Sequence, residues 1–240
     1  MAPIAENVLL LLLDNPEEQP RLERSPLGRV LAAALILDLA VDCRVRPTLA
    51  DEPLPAGHLV ALEGPVPLDP SVRPTLSLLE QRPITAANAV AALRKHSEDT
   101  VLDQLLRTGQ IHQVQLSSHK VRRNHYRWPV KNRGRVAVLR SEVIGALFEN
   151  RRPTPANAAV ICLLNEVGAL GAVLELNDEG VRVVRERSRE IETGGWAAES
   201  GTGGRAAESG TGGRAAESGT AEVNLALTLA DVLPAVNSGL

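Results

Sequence analysis

The stretch LGRVLAAALILDLAV, residues 27–41, carries apolar side chains at 27, 30, 31, 34 and 35, the spacing of one helical stripe. Its uninterrupted apolar run, residues 30–37, stops at Asp38. That run is far shorter than the roughly 20 residues a helix needs to cross a bilayer. Just upstream, ENVLLLLLD at 6–14 is a second, leucine-rich segment. Glu6 stands there where a signal peptide would carry a positive charge. The expectation is a soluble, cytoplasmic chain without a membrane span.

The composition agrees with a helical reading. Of 240 residues, 44% are apolar and 23% charged, enough for a real core and too apolar for disorder. Aromatic residues make up only 2%, which argues against an all-β sandwich or barrel. Two cysteines, Cys43 and Cys162, form no disulfide framework and no zinc site.

Capping signals divide the rest of the chain. Residues 47–74 are rich in proline and read as loop, with a short strand pair near 58–63. Thr85 opens a helix running to about His96, Ser97 caps the next, and Gly109 ends it. A further amphipathic helix is expected over 135–149. Thr154 followed by Pro155 marks another start, and Gly168 its end. Residues 179–191 form a charged, superficial helix and 221–236 an apolar one.

Charge is distributed unevenly. Between Gln104 and Ser141 there are nine basic residues and no acid, so the remainder carries −12 against a net charge of −3. Inside that block, IHQVQLSS (111–118) and VRRNHYRWPV (121–130) alternate like two strands around a polar turn. A basic hairpin bearing Arg122, Arg123, Tyr126, Arg127 and Trp128 is expected, a footprint for something anionic.

Residues 194–202, 203–211 and 212–220 repeat the pattern GGxAAESGT three times. The copies offer no apolar positions for stacking, so 193–220 reads as a flexible linker between a domain at 1–192 and a C-terminal helix at 221–240.

Enzymatic signatures are lacking. The sequence contains no phosphate loop, dinucleotide fingerprint, H-E-x-x-H, C-x-x-C or nucleophile elbow. His119 and His125 lie in the hairpin without acidic neighbours to orient them. No catalytic residue, metal site or cofactor is expected.

In order and spacing, the chain resembles the Golgi phosphoprotein 3 family over about residues 5–189. The segments are ENVLLLLLD, then DLAVDCRV at 38–45, LLRTGQI at 105–111, YRWPV at 126–130, and PANAAVICLLNEVGAL at 155–170. The resemblance implies a mainly α fold: a single helical domain, a central helix bundle ringed by amphipathic helices, with a projecting β-hairpin. It also implies peripheral binding to anionic membranes through phosphatidylinositol 4-phosphate, with the hairpin in membrane contact or self-association. The family's pocket positions fall on Glu23, Ala32, Lys95 and Glu98, of which Lys95 keeps the charge; Arg24, Arg29 and Arg94 lie beside them. Two other functions fit the residues: an interaction domain forming a homo-oligomer through the hairpin, and a winged-helix nucleic-acid binder. Glu98, Asp99 and Asp103 on the helix before the hairpin make nucleic acid the weaker partner.

Overall fold

The leucine-rich segment folds as α1 (Ile4–Leu13), and all ten of its residues are buried. A helix that is apolar on every side belongs in the middle of a protein, and α1 is packed by α2 (Arg24–Val41), α5 (Ser97–Arg107), α6 (Arg133–Phe148) and α7 (Pro155–Glu166). The computed structural model describes residues 3–49, 52–65, 69–115, 126–195 and 212–237.

Two polar residues of α1 are buried with it, and both are answered. Arg135 reaches in from α6, donating to Glu6 at 2.7 Å and to Asn7 at 2.8 Å. At the other end Arg140 donates to Asp14 at 2.7 Å and to the Val173 carbonyl at 2.6 Å. Asp38 caps the start of α1 from the side: its two oxygens accept the backbone N–H groups of Ile4 and Ala5, at 2.6 and 3.1 Å. The acid that interrupts the long apolar run therefore satisfies orphan donors of a neighbouring helix.

α2 ends in a left-handed turn. Cys43 has φ +51°, and the Arg44 N–H returns to the Leu39 carbonyl at 2.8 Å, the geometry of a helix C-terminus. The chain then enters β1 (Val45–Pro47), which pairs antiparallel with β2 (His58–Ala61), itself paired with β3 (Ile84–Thr85). The expected strand pair near 58–63 is thus the middle of a three-stranded sheet. Its outer strands are two or three residues long, too short to show an alternating pattern. The proline-rich stretch also ends in a helix, α3 (Arg73–Gln81), with Pro74 in its first turn, where a missing N–H costs nothing.

Several capping signals are found in place. Thr85 accepts from Asn88 N–H to open α4 (Ala86–Leu93), and Thr154 accepts from Asn157 N–H to open α7. Gly109 and Gly168 have φ +67° and +66° at the ends of their helices. Ser97 behaves otherwise. It is the first residue of α5, and its hydroxyl donates to the Gly28 carbonyl at 2.8 Å instead of capping. α8 (Leu170–Val173) is a single turn, and α9 (Asp178–Glu190) lies on the surface as expected.

The C-terminal helix α10 (Gly212–Asn237) starts nine residues before the sequence places it, so the third repeat copy is its first turns. Arg, Ala and Glu are strong helix formers, and extending an anchored helix avoids the nucleation cost. Residues 196–211, with Trp196 and the middle repeat, lie outside the described residues. α10 packs on α2, α4 and α7 and buries Leu225, Leu229, Val232, Leu233 and Val236. Its Asn224 side chain donates to both the Ala40 and Val45 carbonyls, at 2.8 and 2.7 Å. The helix therefore belongs to the same core as the bundle. That core is aliphatic: no Phe, Tyr or Trp is fully buried among the described residues. The architecture is mainly α and a single helical domain, as the sequence implies.

Candidate cationic site

The basic block is rooted at the end of α5. Beyond Gly109, Lys131 N–H donates to the Gln110 carbonyl at 2.8 Å, Ile111 bridges Val130, and His112 N–H donates to the Pro129 carbonyl at 3.0 Å. Two short strands follow, β4 (Val114–Gln115) and β5 (Tyr126–Arg127), paired antiparallel. The hairpin expected from the sequence is present at its base. Arg122 and Arg123, with Lys120, His119 and His125, lie outside the described residues.

Alternation along β5 sends Tyr126 and Trp128 to one face and Arg127 to the other. The two rings sit 6.1 Å apart and tilted by 37°. Tyr126 and Arg127 are exposed, whereas Trp128 is half-buried against the core. The backbone N–H of Trp128 donates to the carbonyl of Glu18 at 2.8 Å, and Gln19 donates to the carbonyl of Tyr126 at 3.3 Å. The loop between α1 and α2 thus holds the root of the hairpin, with Glu18 itself at φ +53°.

The nine cations do not act alike. Arg135 and Arg140 are spent inside the fold on Glu6 and Asp14. Arg107 donates to Gln104 on its own helix. Lys131 and Arg133, beside the hairpin base, are exposed and join Arg127 as solvent-facing charge. The sequence points to Arg127 as a binding residue and counts these two only among the nine cations of the acid-free stretch.

A second group of cations gathers where α2 begins. The turn between α4 and α5 lies so close to α2 that a Cβ on Gly28 would fall on the Arg94 carbonyl. Arg94 and Lys95, both exposed, sit on this turn, and the exposed Arg24 lies one helical turn before Gly28 on α2. Burial raises the pKa of Glu98 in the first turn of α5, Asp99 adds to this, and Arg24 opposes it. Arg29 lies on another face of α2 and is only 8% exposed. Its Nε donates to the Val236 carbonyl at 2.6 Å and its Nη1 to Ser25 Oγ at 2.8 Å. No carboxylate among the described residues bonds to it.

Residues 4–202 match the model of the Golgi phosphoprotein 3 family. The chain belongs to that family. A comparison with curated proteins finds no match. The Golgi phosphoprotein 3 match takes in α1 to α9 and both cation groups; α10 falls beyond it.

An open groove of about 710 Å³ between β2 and α3 is lined by Arg44, Glu63 and Glu80. Arg44 is already held there by the Leu62 and Pro65 carbonyls. Burial pushes the Cys162 thiol up to about 12, an inert state for a nucleophile. Among the described residues, no three His, Cys, Asp or Glu side chains are grouped to hold a metal ion.

Proposed function

We propose that this chain is a non-enzymatic, peripheral membrane-binding protein of the cytoplasm that recognises anionic phospholipid headgroups. Phosphatidylinositol 4-phosphate is the headgroup that family membership suggests. The observation that carries this reading is Arg29: a residue only 8% exposed that bonds, among the described residues, to a carbonyl and a hydroxyl and to no carboxylate, on the same opening turns of α2 that carry the exposed Arg24. A buried charge without an acidic partner is costly, and a phosphate supplies the missing negative charge through charge-assisted bonds. The hairpin adds a second contact. Tyr126 and Trp128 suit the headgroup layer, and Arg127, Lys131 and Arg133 each contribute about 1 kcal/mol near an anionic surface. No helix among the described residues is long and apolar enough to cross a membrane, in keeping with surface attachment.

The test is vesicle co-sedimentation with phosphatidylcholine alone, with added phosphatidylserine, and with added phosphatidylinositol 4-phosphate, each at low and high salt. Binding that requires anionic lipid and weakens with salt is expected. Equal binding to neutral vesicles, or none to any, overturns the reading. Self-association through the hairpin, or DNA binding in a mobility-shift assay, would then take its place.

A further inference from the structure

We propose that the last turn of α10 is a latch on Arg29, and that an anionic headgroup must displace it to engage the guanidinium. This rests on the reading that the start of α2 receives the headgroup, and it adds the regulation of that site.

The helix end is chemically suited to the role. The terminal carbonyls of a helix lack intrahelical partners and carry partial negative charge. Val236 presents one of them to Arg29 Nε at 2.6 Å. The contact therefore imitates, with a neutral oxygen, what an anion offers. A phosphate oxygen carries a full negative charge that pairs with the guanidinium as a neutral carbonyl does not, so it competes for the same donor once the turn can move.

The turn is also built to yield. Pro234 lies inside α10 and has no N–H to return to Ala230, so the final turn is joined to the helix body by one bond fewer. Pro234 is exposed and contributes little packing. Beyond it, the Asn237 side chain ties the end to Glu166 of α7. Ala235 and Val236 are buried, so the closed position is a real energetic minimum. The site is closed by a helix that lies outside the residues matching the family model.

Two substitutions move the latch in opposite directions without touching Arg29. Pro234→Ala restores the missing N–H donor and tightens the turn. Asn237→Ala removes the outer tether and loosens it. Binding of the full chain to phosphatidylcholine vesicles containing phosphatidylinositol 4-phosphate is measured for both, with vesicles containing phosphatidylserine in parallel. Pro234→Ala is expected to weaken binding and Asn237→Ala to strengthen it, each by about threefold to tenfold if the latch is closed in most molecules. The effect should be larger for the phosphomonoester headgroup than for phosphatidylserine. Hydrogen exchange at residues 235–237 should speed up when the phosphoinositide vesicles are added to wild type.

Arg24→Ala/Arg94→Ala, at exposed positions, tests the underlying reading separately. If that variant binds like wild type, the start of α2 is not the headgroup site. If it binds weakly while Pro234→Ala and Asn237→Ala match wild type, the site stands and the latch is overturned. Exchange at residues 235–237 that is unchanged by vesicles also overturns the latch.

Discussion

The carboxylate of Asp38 accepts the backbone N–H of Ile4 at 2.6 Å across 34 residues of sequence, joining the last turn of α2 to the first turn of α1. Asp38 is half-buried, and its desolvation there pushes its pKa from 3.8 to about 8, against the two backbone donors that favour the charged form. Asp69 and Asp42 raise it further.

A pH dependence of stability follows. The folded protein holds the Asp38 proton to higher pH than the unfolded chain, so this contribution is full below about 4 and is lost as pH rises through about 8. Asp38→Asn keeps an acceptor for the cap and removes the titration. Denaturant unfolding from pH 5 to pH 9 should show wild type losing stability, and the Asn variant losing much less. Asp42, also raised by burial, leaves some slope behind. An identical slope in both proteins would show that Asp38 ionises freely in the fold.

Arg135 offers a sharper loss. Its removal leaves Glu6, with a side chain only 6% exposed, without a counter-charge. Breaking such a pair by deleting one partner costs about 3–5 kcal/mol. Arg135→Met is therefore expected to lower the unfolding free energy by about that amount. Arg140→Met should cost less, because Asp14 is 33% exposed and water can replace the arginine.

Gly28→Ala tests the close approach of α2 to the α4–α5 turn. The new methyl falls on the backbone oxygen of Arg94, which cannot swing aside as a flexible side chain would. A destabilisation of about 1–3 kcal/mol is expected from such overpacking. Vesicle binding should fall with it, since Arg94 and Lys95 ride on the displaced turn.

Lys131→Ala/Arg133→Ala leaves the fold intact, both side chains being exposed. Low-salt binding to anionic vesicles should weaken by about 1 kcal/mol per cation, and the difference should shrink as salt screens it. The measurement is co-sedimentation over a salt series, with thermal unfolding as the control for folding.

What the sequence revealed was local chemistry. Thr85, Thr154, Gly109 and Gly168 announce helix ends because a cap or a left-handed turn depends on one residue and its next few neighbours. Cys43 occupies a left-handed turn without being glycine, so nothing in the residue itself announced that helix end. The rest depended on distant partners. Nothing near Ser97 says that its hydroxyl will meet Gly28 rather than cap its own helix. Arg135 and Arg140 look like any other cation in a basic block until α1 delivers Glu6 and Asp14 to them. Arg29 reads as a surface arginine in its own helix; α10, some 200 residues later, buries it.

The aliphatic core has a spectroscopic consequence. With no ring fully buried among the described residues, the packed interior contributes little to near-ultraviolet signals. The chain has two tryptophans, Trp128 at the root of the hairpin and Trp196 in the first repeat. Emission from a Trp196→Phe variant therefore reports the hairpin alone. A blue shift on adding anionic vesicles would read its entry into the headgroup layer without a label, while unfolding of the bundle is better followed by its helical circular dichroism.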